Sequence, residues 1–248
     1  MLELRGVVRR YALSGRSIIA LDGIDLSLAA GSFTAVVGRS GCGKTTLLRL
    51  IARLEQPDAG TLHWDGPTPP RAGYVFQEPR LMPWLSVARN VALTAAEADV
   101  ADALAAVGLA GFADALPAQL SGGMAQRVAV ARALAQRTGL ILMDEPFGAL
   151  DAFTRSQLQD DLVRLWQERQ PAILFVTHDI EEACRLAERV IVLEAGRLVA
   201  EHRIDLPHPR DALDPEVQAA RAAVLAALGQ RPARSSSPSQ HGVPACVP

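Results

Sequence analysis

The sequence predicts an α/β fold with a largely parallel sheet, interrupted by a helical insertion. Three observations carry this. A short, β-rich apolar run, Phe33-Thr34-Ala35-Val36-Val37, leads into a glycine-rich turn and then into the helical pattern Thr46-Leu47-Leu48-Arg49-Leu50-Ile51. Further apolar runs at Leu140-Ile141-Leu142-Met143, Ile173-Leu174-Phe175-Val176 and Val190-Ile191-Val192-Leu193 alternate with helical stretches near 154–168 and 180–187. Residues 86–137 are almost wholly helical in pattern, alanine-rich with leucine and valine three and four apart.

The other segments follow in order. Residues 2–28 read as short strands around a turn at Ala12 to Gly15, and Leu26 and Leu28 alternate with Asp25 and Ser27 as in a half-buried strand. Residues 57–73 are rich in proline and glycine and read as turns with short strands between them. Beyond Gly229 the composition turns to Arg, Pro, Ser and Gln, which predicts a disordered tail over 229–248. No internal repeat is visible.

A chain of 248 residues that is 49% apolar can bury a full-sized core, so one domain with a small appendage is expected. The 25 basic and 27 acidic residues leave a net charge of −2, which offers no electrostatic footprint for nucleic acid. Charges interrupt every apolar run well short of the roughly 18 residues that span a bilayer. The opening Met-Leu-Glu-Leu-Arg has no uninterrupted apolar signal region, so export is not expected. Cys42, Cys184 and Cys246 form no CxxC pair and are read as reduced thiols of a cytosolic protein.

Gly38-Arg39-Ser40-Gly41-Cys42-Gly43-Lys44-Thr45 fits GxxxxGK[ST], between a buried strand and a helix as that motif requires. Its glycines permit positive φ and let backbone N–H groups surround phosphates. Lys44 can reach the terminal phosphates, the Thr45 hydroxyl can ligate Mg²⁺, and Thr46 continues the anion-facing first turn of the helix. The run 140–143 ends in Asp144 and Glu145. Such an ending is common by itself. Beside a phosphate loop, it places Asp144 for Mg²⁺ and Glu145 to take a proton from an attacking water. Leu120-Ser121-Gly122-Gly123-Met124-Ala125-Gln126-Arg127 sets a serine and two glycines before a helix, a second anion-binding terminus in one chain.

On these residues the sequence resembles the ATP-binding cassette (ABC) family, with 120–127 similar to its signature motif. The resemblance spans about residues 2–228, with a helical subdomain at about 78–137. It implies a phosphate-loop ATPase with a mostly parallel core sheet, an N-terminal antiparallel β subdomain and an inserted helical subdomain. It implies ATP and Mg²⁺ as ligands and a head-to-tail dimer of two copies, each ATP held between one phosphate loop and the partner's signature at Ser121, Gly122 and Gly123. Gln77 matches the loop glutamine that contacts Mg²⁺ and couples to a membrane partner. Ala149-Leu150-Asp151 matches the loop crossing the dimer interface, His178 the histidine at the γ-phosphate, and Tyr11 the aromatic that stacks on adenine. A lone His after a strand is more often structural, so the role of His178 rests on the resemblance. Two departures stand out: Met124 replaces the usual glutamine, and Cys42 lies inside the phosphate loop, where a thiol could sensitise the site to thiol reagents.

Three stretches are similar to the importer branch for nitrate, sulfonate, taurine and related solutes, and most to its aliphatic sulfonate subunits. They are Phe76-Gln77-Glu78-Pro79-Arg80-Leu81-Met82-Pro83-Trp84, the run from Asp144 through Arg155, and Leu206-Pro207-His208-Pro209-Arg210. The branch implies integral-membrane permease partners, a substrate-binding protein engaged indirectly, and a peripheral place on the cytoplasmic face of the inner membrane. Trp84 fits either a permease contact or core packing. Nitrate, taurine or another small solute is the alternative cargo. The competing classes are a non-transport ABC ATPase, a small-molecule kinase and a regulatory module that binds ATP without turnover. The first would carry a long coiled coil or two cassettes, and the second has no use for the signature.

Overall fold

The computed structural model describes residues 2–13, 15–66 and 69–229. The expected tail lies outside these residues, as does Cys246, apart from Gly229 at the end of the last helix. Strands β1 (Leu2–Leu13) and β2 (Arg16–Leu28) form one long hairpin, and β4 (Ala59–Trp64) pairs along the other side of β1. Pairing is antiparallel throughout, with Leu2 opposite Leu28 and Leu4 opposite Leu26, all four buried on the inner face. The alternation seen at Leu26 and Leu28 is thus the inward face of β2, while Asp25 and Ser27 face solvent.

The second sheet has the order β5-β6-β7-β3-β8-β9: β3 is Phe33–Val37, β5 Ala72–Val75, β6 Leu140–Asp144, β7 Ala172–Thr177, β8 Arg189–Glu194 and β9 Arg197–Arg203. All neighbours are parallel except β8 and β9. Continuous apolar runs are what a parallel strand covered on both faces requires. Alternate residues feed different cores. Phe33, Ala35, Val37, Ile141, Met143, Ile173, Phe175, Val190 and Val192 join one cluster with the helices of the larger side. Val36, Leu140, Leu142, Leu174, Val176, Ile191 and Leu193 join another with α1 (Lys44–Ile51) and the inner face of the antiparallel sheet. Burying one side chain of this size contributes about 1.5–3 kcal/mol.

Strand β9 and the last helix, α7 (Pro215–Gly229), carry weak sequence signals and were not foreseen. Residues of β9 alternate between exposed and half-buried, and polar side chains sit on both faces. The turn before it offered the better clue. Ala195 and Gly196 both have positive φ (46° and 79°), the pattern of a two-residue hairpin turn. In α7 the fully buried side chains are Val217 and Val224, within an alanine-rich background.

Residues 86–137 fold as α2 (Val87–Ala92), α3 (Glu97–Ala106), two short 3₁₀ turns and α4 (Gly122–Ala135). Three buried polar side chains bind this arm to the loop that follows β5. Asn90 donates to the carbonyls of Met82, Leu85 and Ser86 and accepts from the Met82 N–H. Gln126 donates to the Phe76 carbonyl, and Arg132 to those of Pro79 and Arg80. Backbone groups that a loop would otherwise leave unpaired are satisfied by the helices beneath it.

Helices α5 (Ala152–Arg169) and α6 (Ile180–Leu186) complete the larger layer. The Leu-Pro-His-Pro-Arg stretch has a structural role here. Arg210 is buried and donates to the carbonyls of Cys184, Ala187, Ile204 and Leu206, closing the end of α6 against the chain leaving β9.

Candidate active site

The site lies at the carboxyl ends of β3, β6 and β7, where parallel sheets present ligands to their loops. The phosphate loop leaves β3 at Val37 and enters α1 at Lys44. Gly43 has φ 109°, and a Cβ there would stand 2.3 Å from the Ala20 carbonyl oxygen and 2.8 Å from Leu21 Cδ2. No other residue fits, because the loop is pressed onto β2 in a backbone conformation that L side chains avoid. The carbonyl of Cys42 accepts from Gly196 N–H at 3.1 Å, which ties the loop to the β8–β9 turn.

Lys44 is buried, and its Nζ donates to the Gly38 carbonyl at 2.8 Å and to the Arg39 carbonyl at 3.2 Å. Helix α1 begins with no side-chain cap and no acidic residue in its first turn. An ammonium held by neutral carbonyls beside an uncapped, positive helix end fits a phosphate chain in charge and donor count.

Thr45 Oγ1 donates to Asp144 Oδ1 at 3.1 Å. Asp144 is buried, and its pKa is raised by that burial, against the Thr45 hydrogen bond. Hydroxyl, carboxylate and the nearby Gln77 amide are hard oxygen donors suited to Mg²⁺. Among the described residues no group of three His, Cys, Asp or Glu could cage a metal alone.

Glu145 has φ 47°, an unfavourable backbone for a non-glycine residue that costs about 1–3 kcal/mol. Its N–H donates to the Val176 carbonyl at 3.0 Å, so β7 holds it in place. Its Oε2 lies 3.3 Å from Nδ1 of His178, whose ring is largely exposed. The two residues leave adjacent strands and meet in front of the loop.

Tyr11, Ser40, Gly41, Lys44, Thr45, Thr46, Gln77 and Glu145 line a common cleft of about 460 Å³. Tyr11 is half-buried rather than exposed. Its hydroxyl donates to Glu55 and reaches Thr46 Oγ1 at 3.5 Å, and the Arg9 guanidinium lies 4.8 Å above its ring. The Arg9 guanidinium thus covers one face of the ring. Arg9, Glu55, Ile18 and Ile19 escaped the sequence reading; the isoleucines, half-exposed on β2 and set in the cleft wall, were the available signal.

The structure does not bring every predicted site residue into this cleft. Ser121, Gly122 and Gly123 stand at the start of α4, and none of them lines it. Ser121 Oγ accepts from Met124 N–H at 3.2 Å, an N-cap, and both Ser121 and Gly122 are exposed. Met124 packs against the main core, so the departure from glutamine serves packing. Leu150 underlies Gly123: a Cβ there would lie 3.1 Å from Leu150 Cδ2.

Two expectations are corrected. Cys42 is buried among α1 and β2 side chains, and burial raises its thiol pKa, so the reactive thiolate suggested by its place in the loop is disfavoured. Trp84 is 73% exposed, which removes core packing as its role. A larger cavity of about 730 Å³ lies between α5, α6 and residues 208–212 and contains none of these motif residues.

A phosphate loop after β3, a carboxylate pair at the end of β6 one strand away and a capped glycine turn define a phosphate-loop NTPase of the cassette type. The family model described as "ABC transporter" matches residues 21–148, and the chain belongs to that family. It is 49% identical over 235 residues to "Aliphatic sulfonates import ATP-binding protein SsuB 3" of Nocardia farcinica, covering 93% of this chain and 92% of that protein. It is 50% identical over 232 residues to "Aliphatic sulfonates import ATP-binding protein SsuB 1" of Pseudomonas fluorescens, covering 92% of this chain and 86% of the relative. Among solved structures, the post-hydrolysis dimer of the ATP-binding cassette MJ0796 bound to ADP and Pi superposes with a TM-score of 0.77. Its sequence is 33% identical, and the match covers 84% of this chain and 100% of that one.

Proposed function

We propose that this chain hydrolyses ATP to energise an importer of aliphatic sulfonates. The observation that supports the motor reading is a cleft lined by Lys44, Thr45 and Glu145, with Asp144 bonded to Thr45 and His178 beside Glu145 just behind it, all from three strand ends. Its cargo reading rests on relatives at about half identity over nearly the whole chain that bear aliphatic sulfonate import names.

Residues 2–228 are the ATPase unit, and the helices within 78–137 are its arm. Lys44 and the loop amides bind the terminal phosphates, and Tyr11 stacks on the base. Mg²⁺, when bound, neutralises charge on the phosphate oxygens; Thr45 and Asp144 would hold it, with Gln77 beside them. Glu145 orients the attacking water and accepts its proton, while His178 steadies the γ-phosphate. A second copy, head to tail, supplies Ser121, Gly122 and Gly123 from across the interface. Exposed Trp84 and Met82 on the loop after Gln77 form the apolar contact for a permease at the cytoplasmic face of the inner membrane. No helix of the described residues is long and apolar enough to cross a membrane.

The test is growth of a strain lacking this chain on single sulfur or nitrogen sources, complemented by the parental chain or by Lys44→Ala. Growth lost only on aliphatic sulfonates, and restored by the parent alone, is the expected result. Loss on nitrate or taurine instead keeps the motor and replaces the cargo.

A further inference from the structure

Two charged side chains behind the cleft have no part in the chemistry above. Glu182, in the first turn of α6, is buried. Its Oε2 accepts from Thr177 Oγ1 at 2.9 Å, and Thr177 Oγ1 in turn accepts from the Asp179 N–H at 3.0 Å. The Asp179 carboxylate accepts from the N–H groups of Glu181 and Glu182. Both neighbours of His178 are thereby fixed, Thr177 by the Glu182 carboxylate and Asp179 by the Thr177 hydroxyl and the first backbone N–H groups of α6.

On its other side, Glu182 Oε1 lies 3.7 Å from Nε of Arg155, a buried nitrogen with no hydrogen-bond partner. Arg155 reaches back with Nη2 to the Leu150 carbonyl at 3.0 Å, and its own N–H donates to the Asp151 carbonyl at 2.9 Å. Leu150 is the residue packed beneath Gly123 of the signature turn. A continuous chain of contacts therefore runs from the His178 turn through Glu182 and Arg155 to the Leu150-Asp151 loop and on to the signature.

At 3.7 Å the two groups attract without a formed hydrogen bond, so a small displacement of either loop can close or open the link. Burial pushes the Glu182 carboxyl up to about 7, against the pull of Thr177 and Arg155. A buried carboxylate of this kind costs folding energy that an apolar side chain of the same volume would not.

We propose that Glu182 and Arg155 are positioning residues that couple the His178 turn to the Leu150-Asp151 loop, so that engagement of the loop by a second copy sets His178 against Glu145. This rests on the hydrolysis reading given above. Neither residue touches the cleft, and their effect on turnover passes through the two loops.

Full-length chains carrying Glu182→Gln, Arg155→Met or both changes test this by steady-state ATP hydrolysis, with thermal midpoints measured alongside. Each single change is expected to lower kcat about tenfold while KM for ATP stays within about twofold, and the double variant to be no slower than the worse single one. Arg155→Met leaves the Glu182–Thr177 bond in place and reads the link independently of any folding defect in Glu182→Gln. Unchanged kcat in both singles, a rise in KM at constant kcat, or losses that multiply in the double variant would each overturn the coupling. Lys44→Ala serves as the baseline. A parental rate no higher than that baseline overturns the hydrolysis reading and the coupling with it, whereas a high parental rate matched by the variants overturns the coupling alone.

Discussion

The phosphate loop and the signature turn share their parts, a serine, glycines and a helix N-terminus, yet their surroundings are opposite. Around the first, Lys44 and Asp144 are buried, both have hydrogen-bond partners within the chain, and β2 presses on Gly43. Around the second, Ser121 and Gly122 are exposed, and a Cβ on Gly122 would meet nothing within 4 Å. A site whose geometry the fold enforces and a site left open to another molecule can be told apart by what each substitution disturbs, stability or turnover.

The largest expected effect is on turnover at the enclosed site. Glu145→Gln should slow hydrolysis by about 10²–10⁴-fold with ATP affinity retained, measured by phosphate release and nucleotide titration. A variant at the parental rate removes Glu145 from its role as base. At the open site, Gly122→Asp should cost about 10²-fold in hydrolysis by placing a like charge before the partner's phosphates, while nucleotide affinity of the isolated chain and its thermal midpoint stay unchanged. Loss of stability there would mean that the turn is structural.

Gly43→Ala should reverse that pattern. The collision with Ala20 and the strained φ are expected to destabilise the fold by about 1–3 kcal/mol and to abolish nucleotide binding, read by urea unfolding and titration. An unaffected midpoint would show that the loop relaxes away from β2. The smallest effect marks the limit of the contrast: Ser121→Ala removes the N-cap of α4 and should cost about 1 kcal/mol of stability by urea unfolding, a loss that Gly122, which caps nothing, does not share.

Much of this was legible in the sequence for physical reasons. Strands of the parallel sheet announce themselves because both faces are covered, and the phosphate loop because its glycines are forced by backbone geometry. Elements with one soft face were not legible: β9 hides its period among arginines and a histidine, and α7 buries few side chains against the core. At the site, the meeting of Thr45 with Asp144 beside buried Lys44 was legible because the motif spacing and the strands before it set where those side chains stand. Glu182 and Arg155 were not, since their meaning depends on α5 and α6 meeting in space. Burial at Cys42 also needed the structure, because a loop position says nothing of the strand that covers it.

The central sheet sends alternate side chains into two cores, and neither core owns its strands. Peeling away the antiparallel hairpin would uncover α1 and part of one face of β3, β6, β7 and β8 while their other face remained packed. Intermediates with half a sheet exposed to water are therefore costly, and the two cores should melt in a single cooperative transition with one van't Hoff enthalpy. Cooperativity of that kind links the rim that carries Tyr11 to the far helices without any direct contact between them.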